Sequence, residues 1–439
     1  MRLSLFEGAC WALMVGLGET YFPANAVRLG ASPVELGLVV GLPLCLGAAG
    51  STAALALLRR ARRRRPLVAL SAGAQSAVLL SLVVLDGLGQ LGPRLLIAHA
   101  CVYQMFGMGS ATMWSSWYGD LVPAAERGRY FARRNLHVQL ATLLAALVAG
   151  ALLQVLEPHA AESAASAAGG LGFRTIFAAA AVARLASVTL LLRSPEQTFR
   201  GISGAARTLA FLGTERGRGA ARLLALGALI QFTAYIASPY FTPFMLTDMR
   251  LTYLQFTIAT VTVMAAKSFF LPRWGRAIDT QGPRATYALC ATMVALVPVP
   301  WLLHGVLPAP FLIAVAAQAY SGMSWAGYEL SYFSVMLSSS YRRTRPQVFA
   351  AQNVCNGAAQ LLGSLAGAAL FGLVGRHFLL LFAASAAVRL SVAMLAPSWL
   401  PRAEEGVGRR ELLLRVVGVR PSGGLVHRPI DAGDETDNT

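Results

Sequence analysis

Long apolar stretches dominate this chain, and polar residues are confined to the short segments between them. Leu95–Gly119 and Val348–Gly375 contain no charged residue. Eighteen or more apolar residues without charge predict a helix that spans a membrane. The pattern predicts twelve such spans, near residues 5–27, 34–58, 67–87, 93–118, 136–156, 172–193, 223–246, 253–273, 285–304, 310–337, 349–375 and 378–398.

Two phrases recur at half the length of the chain. Phe177–Arg184 (FAAAAVAR) returns as Phe382–Arg389 (FAASAAVR), and Phe131–Asn135 (FARRN) returns as Phe349–Asn353 (FAAQN). Repeats of this size indicate duplication, and in membrane proteins they favour two bundles around a central site. The predicted fold class is therefore an all-α membrane protein with twelve transmembrane helices in two pseudo-symmetric six-helix bundles. We assign the bundles to residues 1–193 and 223–400, with a cytoplasmic linker at 194–222 and a partly disordered cytoplasmic tail at 401–439.

The charged residues agree with a membrane location. Only 13% of residues are charged, against about 25% in soluble proteins. The chain carries a net charge of +17, but its arginines cluster in the segments 59–65, 127–134, 193–222, 273–284 and 342–345. With a cytoplasmic N-terminus, the inner loops hold 22 arginines and the outer loops five, which is the positive-inside pattern. We expect a multi-pass protein of the cell (inner) membrane with both termini cytoplasmic and the lipid bilayer as a partner. A nucleic-acid partner would need a continuous basic face, which these short clusters do not form.

The sequence offers little for catalysis or metal binding. The five cysteines and six histidines lack the spacing of metal ligands, and no HExxH or GxSxG motif is present. Lys267 is the only lysine, and it is not part of a phosphate-binding Walker motif. We therefore expect no cofactor, no metal and no enzyme activity. An integral-membrane enzyme is the disfavoured alternative.

The clearest motif is Trp274–Arg284 (WGRAIDTQGPR), between spans 8 and 9. It resembles the loop signature of the major facilitator superfamily (MFS), in which a glycine, an acid four residues on, a second glycine and a base recur. The segment Asp120–Arg129 is also similar to loops of bacterial members, and the resemblance covers roughly residues 5–400. It implies a twelve-span transporter in which the acid contacts the opposite half and steadies the outward-facing state.

By that resemblance, Asp279 would meet the start of span 5 near Arg133 and Arg134. Gly275 and Gly282 would permit tight turning, and Arg284 would anchor the loop. Arg129, in the loop before span 5, belongs to the same predicted gating group. The corresponding first-half segment at 58–66 lacks the acid and the glycines, so a symmetric pair of latches is not expected. The alternative for the segment between spans 8 and 9 is a tight basic loop that only orients the protein.

Ionisable groups inside the spans are the best candidates for function, because a charge in hydrocarbon is costly unless it is paired or hydrated. Glu19 in span 1 could carry a coupling proton. Lys267 in span 8 and Glu329 in span 10 could neutralise each other or bind substrate or a proton. Arg184 and Arg389, in spans 6 and 12, are expected to make structural hydrogen bonds, and Glu7 is expected at the membrane surface.

Aromatic residues complete the predicted site. Tyr235, Trp325 and Tyr328 lie on spans that line the cavity in this superfamily, although aromatic belts at the membrane interface are an alternative. The prediction is a secondary active transporter for a small organic solute, working by alternating access with a proton or another coupling ion. We expect proton-coupled export of a hydrophobic or drug-like compound. Uptake of a small metabolite and a non-transporting sensor are the alternatives.

Overall fold

A computed structural model of the chain describes residues 2–122, 127–157, 170–196, 218–338 and 345–399, and all regular structure within them is helical. The predicted linker is described only at 194–196 and 218–222, and the predicted tail lies outside the described residues. The spans comprise Arg2–Leu17 with Glu19–Tyr21 and Phe22–Arg28 (span 1), Pro33–Arg60 (2), Arg65–Gly87 (3), Pro93–Leu121 (4), Arg127–Leu156 (5), Leu171–Arg193 (6), Arg218–Ala237 with Ser238–Tyr240, Phe241–Pro243 and Phe244–Asp248 (7), Tyr253–Gln281 (8), Pro283–Ala295 with Val299–Gly305 (9), Pro310–Ser338 (10), Arg345–Leu373 (11) and Phe378–Trp399 (12).

These helices confirm the predicted fold class. Each predicted span falls on a helix or on consecutive helices of the chain. Among the described residues, nine helical stretches are both long and apolar enough to cross a membrane. Spans 1, 4 and 10 are not among the nine, and they pack within the same bundles.

The packing of the helices repeats between the halves, which are spans 1–6 and spans 7–12. Span 1 packs on span 5, span 2 on span 4 and span 3 on span 6, and the second half pairs 7 with 11, 8 with 10 and 9 with 12. The contacts between the halves follow the same rule, because span 2 lies against span 11 and span 5 against span 8. The duplication read from the sequence is therefore present in the helix neighbours.

Spans 1 and 7 are interrupted at corresponding points. A 3₁₀ turn at Glu19–Tyr21 separates the two helices of span 1, and a 3₁₀ turn at Ser238–Tyr240 interrupts span 7. Proline follows each turn, at Pro23 and Pro243, and proline cannot donate the backbone hydrogen bond that a continuing helix needs. Span 7 then ends in a π-helical segment, Phe244–Asp248.

The two ends of the bundle differ in how the halves meet. We call the end with the 61–64 and Gly282 connections the basic end, and the end with the 29–32 and 249–252 connections the opposite end. One apolar cluster at the opposite end contains residues of both halves, such as Phe173 and Tyr253. Toward the basic end, the clusters around Trp117 and around Trp274 each belong to one half. The halves therefore close against each other at the opposite end and part at the basic end.

The helix of span 8 extends further than predicted. It continues through Pro272 to Gln281, so most of the motif expected to be a loop is helical. Proline at this position still allows a helix, since neighbouring interactions compensate the lost hydrogen bond. Trp274 anchors this part of the helix to span 10, because it is fully buried and donates through Nε1 to Met323 O at 2.9 Å. The turn itself falls on Gly282, whose φ of +80° suits glycine.

Candidate functional site

A cavity of about 630 Å³ lies between the halves, near the middle of the bundle. It is bounded by spans 1, 7, 8, 10 and 11, with contributions from spans 9 and 12. Its polar lining consists of Glu19, Thr20, Gln231, Ser238, Thr242, Thr260, Lys267, Gln318, Ser321, Glu329, Gln360 and Arg389. A cavity with apolar walls and a few convergent polar groups is the usual form of a small-molecule site.

The structure brings Lys267 and Glu329 together in this cavity. Lys267 Nζ donates to Glu329 Oε1 at 2.7 Å across spans 8 and 10, although 62 residues separate them in the chain. The side chains are 35% and 53% exposed, so both charges face the cavity. The pair is therefore accessible to a solute, unlike a salt bridge enclosed in the core.

Glu19 opens the 3₁₀ turn of span 1 and lines the same cavity. Tyr103 on span 4 donates its hydroxyl hydrogen to Glu19 Oε2 at 3.1 Å. The corresponding position in span 7 is Ser238, which begins the second 3₁₀ turn. The carboxylate is thus present in one half only, at a break where the backbone departs from the α-helix.

Two of the three predicted aromatic residues line the cavity. Tyr235 and Trp325 contribute to its wall, together with Phe241, which stacks on Trp301 at 5.1 Å between ring centroids. Tyr328 is not among the residues that line it. Its ring is 2% exposed and stacks on Tyr332 inside the second half. The prediction for Tyr328 was wrong, because this face of span 10 packs against span 9.

A chain of hydrogen-bonded polar groups is buried between the helices of the first half. Arg134 Nη2 donates to Glu7 Oε2 at 2.9 Å, and Ser187 Oγ donates to Glu7 Oε1 at 3.1 Å. Arg184 Nη1 donates to Ser187 Oγ at 3.1 Å, and Nη2 donates to Gln75 Oε1 at 2.6 Å. The interpretation of Glu7 as a surface residue was therefore wrong, because Glu7 is 3% exposed and its carboxylate accepts from two buried donors.

Arg389, the counterpart of Arg184, is held by the backbone of spans 7 and 9. It donates to Ala234 O at 2.6 Å and more weakly to Thr233 O and Val294 O, and its exposure is 4%. Both arginines make the structural hydrogen bonds predicted from the sequence. Both nevertheless also line cavities, which the resemblance did not imply for spans 6 and 12.

Comparisons with known proteins give the architecture a precedent. No protein family and no curated protein sequence matches the chain. Solved structures do match, at low identity. The nucleoside transporter NupG is 12% identical with a TM-score of 0.67, over 91% of this chain and all of its own. An auto-inhibited peptide transporter of the POT family is 10% identical with a TM-score of 0.69, over 91% of this chain and 96% of its own. A bacterial homologue of the iron transporter ferroportin, in an inward-facing state, is 15% identical with a TM-score of 0.69, over 91% and 99%.

This protein has the fold of the MFS transporters. At these identities the likeness shows the fold alone. The predicted resemblance to this superfamily is confirmed at that level. The solutes named for the neighbours belong to those proteins.

Among the described residues, the predicted gating residues form no ion pair between the two halves in this conformation. Asp279 is exposed at the end of the span 8 helix, and among the described residues it forms no ion pair with Arg133 or Arg134. Arg133 is exposed, whereas Arg134 forms an ion pair with Glu7. This arrangement agrees with the open basic end, so the predicted latch stays a prediction.

The remaining members of the gating group have simpler surroundings. A Cβ built on Gly275 would meet nothing within 4 Å, and Gly282 makes the turn into span 9, where Arg284 lies in the first helical turn. The side chain of Arg129 lies outside the described residues. Close helix approach at Gly275 is therefore not seen in this conformation.

Two tyrosines to which the sequence analysis gave no such role join the halves at the opposite end of the bundle. Tyr21 OH donates to Ala146 O at 2.7 Å and lies 2.7 Å from Thr257 Oγ1 of the second half. Tyr240 OH donates to Pro33 O of the first half at 2.9 Å. Both residues end the 3₁₀ turns, and the repeat of Tyr21-Phe-Pro as Tyr240-Phe-Thr-Pro was a signal that could have found them.

Proposed function

We propose that this protein is a proton-coupled secondary transporter for a small amphipathic organic solute. The observation that carries the proposal is the central cavity, where the Lys267–Glu329 pair faces an aromatic wall between two halves that are closed at one end only. A solute could bind there from the basic end and leave after the halves rock about the site, as in alternating access.

The chemistry of the lining favours an amphipathic solute over a purely hydrophobic one. A purely hydrophobic compound would suit a mostly apolar cavity, whereas four charged side chains line this one. Tyr235, Phe241 and Trp325 offer surface for an apolar or aromatic part. Lys267 and Glu329 offer a donor and an acceptor for a polar part. The neighbours named for nucleosides and peptides support a polar organic solute in this fold.

Glu19 is our candidate for the coupling proton. It is a carboxylate without an ion-pair partner among the described residues, and Tyr103 donates a hydrogen bond to it. A carboxylate in such a place can accept a proton from the cavity and lose its charge. Protonation lowers the free-energy cost of burying this side chain when the cavity closes.

Direction and orientation extend the proposal. We place the basic end in the cytoplasm, because the arginine-rich connections lie there, and we take export from the cell (inner) membrane as the working direction. Uptake through the same cavity is the second candidate. A sensor would bind the solute without moving it.

The test starts from the purified protein. A thermal-shift screen against metabolites and toxic organic compounds supplies solutes, and proteoliposomes with an imposed pH gradient then measure their flux. Glu19→Gln keeps an acceptor for Tyr103 but cannot be protonated, so it should abolish gradient-driven flux and retain solute binding. Glu35→Gln, at the start of span 2 and outside the residues that line the cavity, is the matched control. Unchanged driven flux in Glu19→Gln would reject the coupling role, and binding without any flux in the unmodified protein would favour the sensor.

A further inference from the structure

A second cavity, of about 540 Å³, lies inside the first half toward the basic end. Spans 1, 4, 5 and 6 form most of it, and Val68 of span 3 contributes. It adjoins the central cavity at Val15, which lines both, and reaches the second half at Met264. It contains none of the residues predicted from the sequence to bind a solute.

The ionisable groups that line this cavity carry one excess positive charge. They are Glu7, Arg134 and Arg184. Glu7 and Arg134 form a direct ion pair at 2.9 Å, with side chains 4% and 10% exposed. Arg184, only 2% exposed, is the cation left over.

Arg184 is held by neutral ligands. Its guanidinium donates to Gln75 Oε1, to Ser187 Oγ and, at 3.5 Å, to Ser110 Oγ. Its buried Nε finds no acceptor among the residues that the structure describes. Among the described residues Arg184 forms no direct ion pair. Ser187 stands between Arg184 and Glu7, and Glu19 attracts Arg184 only from beyond ion-pair distance. Removing a cation from water without a direct counter-ion is costly, and an anion bound beside it would offset part of that cost.

The rest of the wall suits an aromatic body. Trp11 and Trp114 line the cavity beside Val138 and Met264. The Arg134 guanidinium lies 4.0 Å from the centroid of the Trp114 ring, so a cation–π contact holds one face of that ring in place. Ser110 lines the cavity next to Arg184, so a polar group of the ligand would lie at that side.

We propose that this cavity is a second binding site of the protein, for an organic anion with an aromatic body whose acidic group lies beside Arg184. The site goes beyond the proposed transport function. It would hold such an anion on the basic side of the central cavity, whether or not the anion is then moved.

The test compares two probes of the same shape, 2-naphthoate and its neutral analogue 2-naphthamide, by calorimetric titration of the purified protein. The acid should bind at least about tenfold more tightly than the amide, since a charge-assisted hydrogen bond is stronger than a neutral one. Ser110→Asp places a carboxylate beside Arg184 and should remove this preference. Ser110→Asn, of the same size and neutral, should keep it. Because Ser110→Asp gives Arg184 a counter-ion, the test does not depend on whether an Arg184→Gln variant folds.

Each other outcome counts against the proposal. Equal affinity for the acid and the amide, or an unchanged preference in Ser110→Asp, would overturn it. If Lys267→Gln abolished the preference and Ser110→Asp did not, the anion would lie in the central cavity and this site would be rejected. Failure of the transport function is distinguishable, because flux assays can fail while the Ser110→Asp effect on binding persists.

Discussion

Gly150 offers the most direct test of how the halves move, because it has room for no side chain in this conformation. A Cβ built there would lie 2.6 Å from Thr257 Cβ and 2.9 Å from Thr257 Cγ2, across the interface between spans 5 and 8. Thr257 has little freedom to move aside. Its Oγ1 donates to Tyr253 O at 2.8 Å and lies 2.7 Å from Tyr21 OH, so rotation would disrupt both contacts.

We therefore expect Gly150→Ala to destabilise the conformation that is closed at the opposite end. Adding a methyl group to a packed interface costs about 1–3 kcal/mol. If the contact is relieved when the halves part there, this cost applies to one conformation only. The population would then shift about 5- to 150-fold toward the conformation closed at the basic end.

Spin labels at Arg62 and Thr280, both exposed at the basic end, would report this shift as a shorter distance between the halves in a cysteine-free background. Gly73→Ala is the matched control, since it makes the same change in a helix where nothing lies within 4 Å. Identical distance distributions for the two variants would refute the reasoning.

Three further changes test the site and its supports. Lys267→Ala should reduce solute binding. It should lower the free energy of unfolding by at most about 1 kcal/mol, because the Lys267–Glu329 pair is open to the cavity. A much larger decrease in the free energy of unfolding, measured by chemical denaturation, would contradict the exposure of the pair. Glu7→Gln should lower the free energy of unfolding by about 3–5 kcal/mol, because it leaves buried Arg134 without a counter-ion, and adding Arg134→Gln should recover much of this decrease. Additive decreases for the two substitutions, in thermal or chemical unfolding, would argue against the pair. Tyr240→Phe removes the hydrogen bond to Pro33 O and should increase labelling of a cysteine in the central cavity from the opposite end, so unchanged labelling would exclude a role in closure.

The fold could be predicted from the charge-free apolar runs, because the low polarity of the membrane restricts the backbone to a few structures. In hydrocarbon a backbone must satisfy its own hydrogen bonds, so the charge-free runs are expected to be helices, and counting the runs gives the number of spans. The distribution of arginines between the runs then predicts which connections are cytoplasmic. The repeat between Phe177–Arg184 and Phe382–Arg389 predicted two similar halves, and the matching helix pairs carry that repeat into the packing. Isolated ionisable residues in the spans also marked Glu19, Lys267 and Glu329, since such groups are too costly to be incidental.

The sequence by itself determined the spans, the two-half plan and the short set of charges that needed partners. Only the tertiary structure decided which partners those charges have. Glu7 was expected at the membrane surface, yet it contacts Arg134 and Ser187 from spans 5 and 6. Tyr328 was expected to line the cavity, yet the rotation of span 10 turns its ring into the core. Helix periodicity records how apolar a face is, whereas the partner of a buried polar group depends on contacts between residues far apart in the chain.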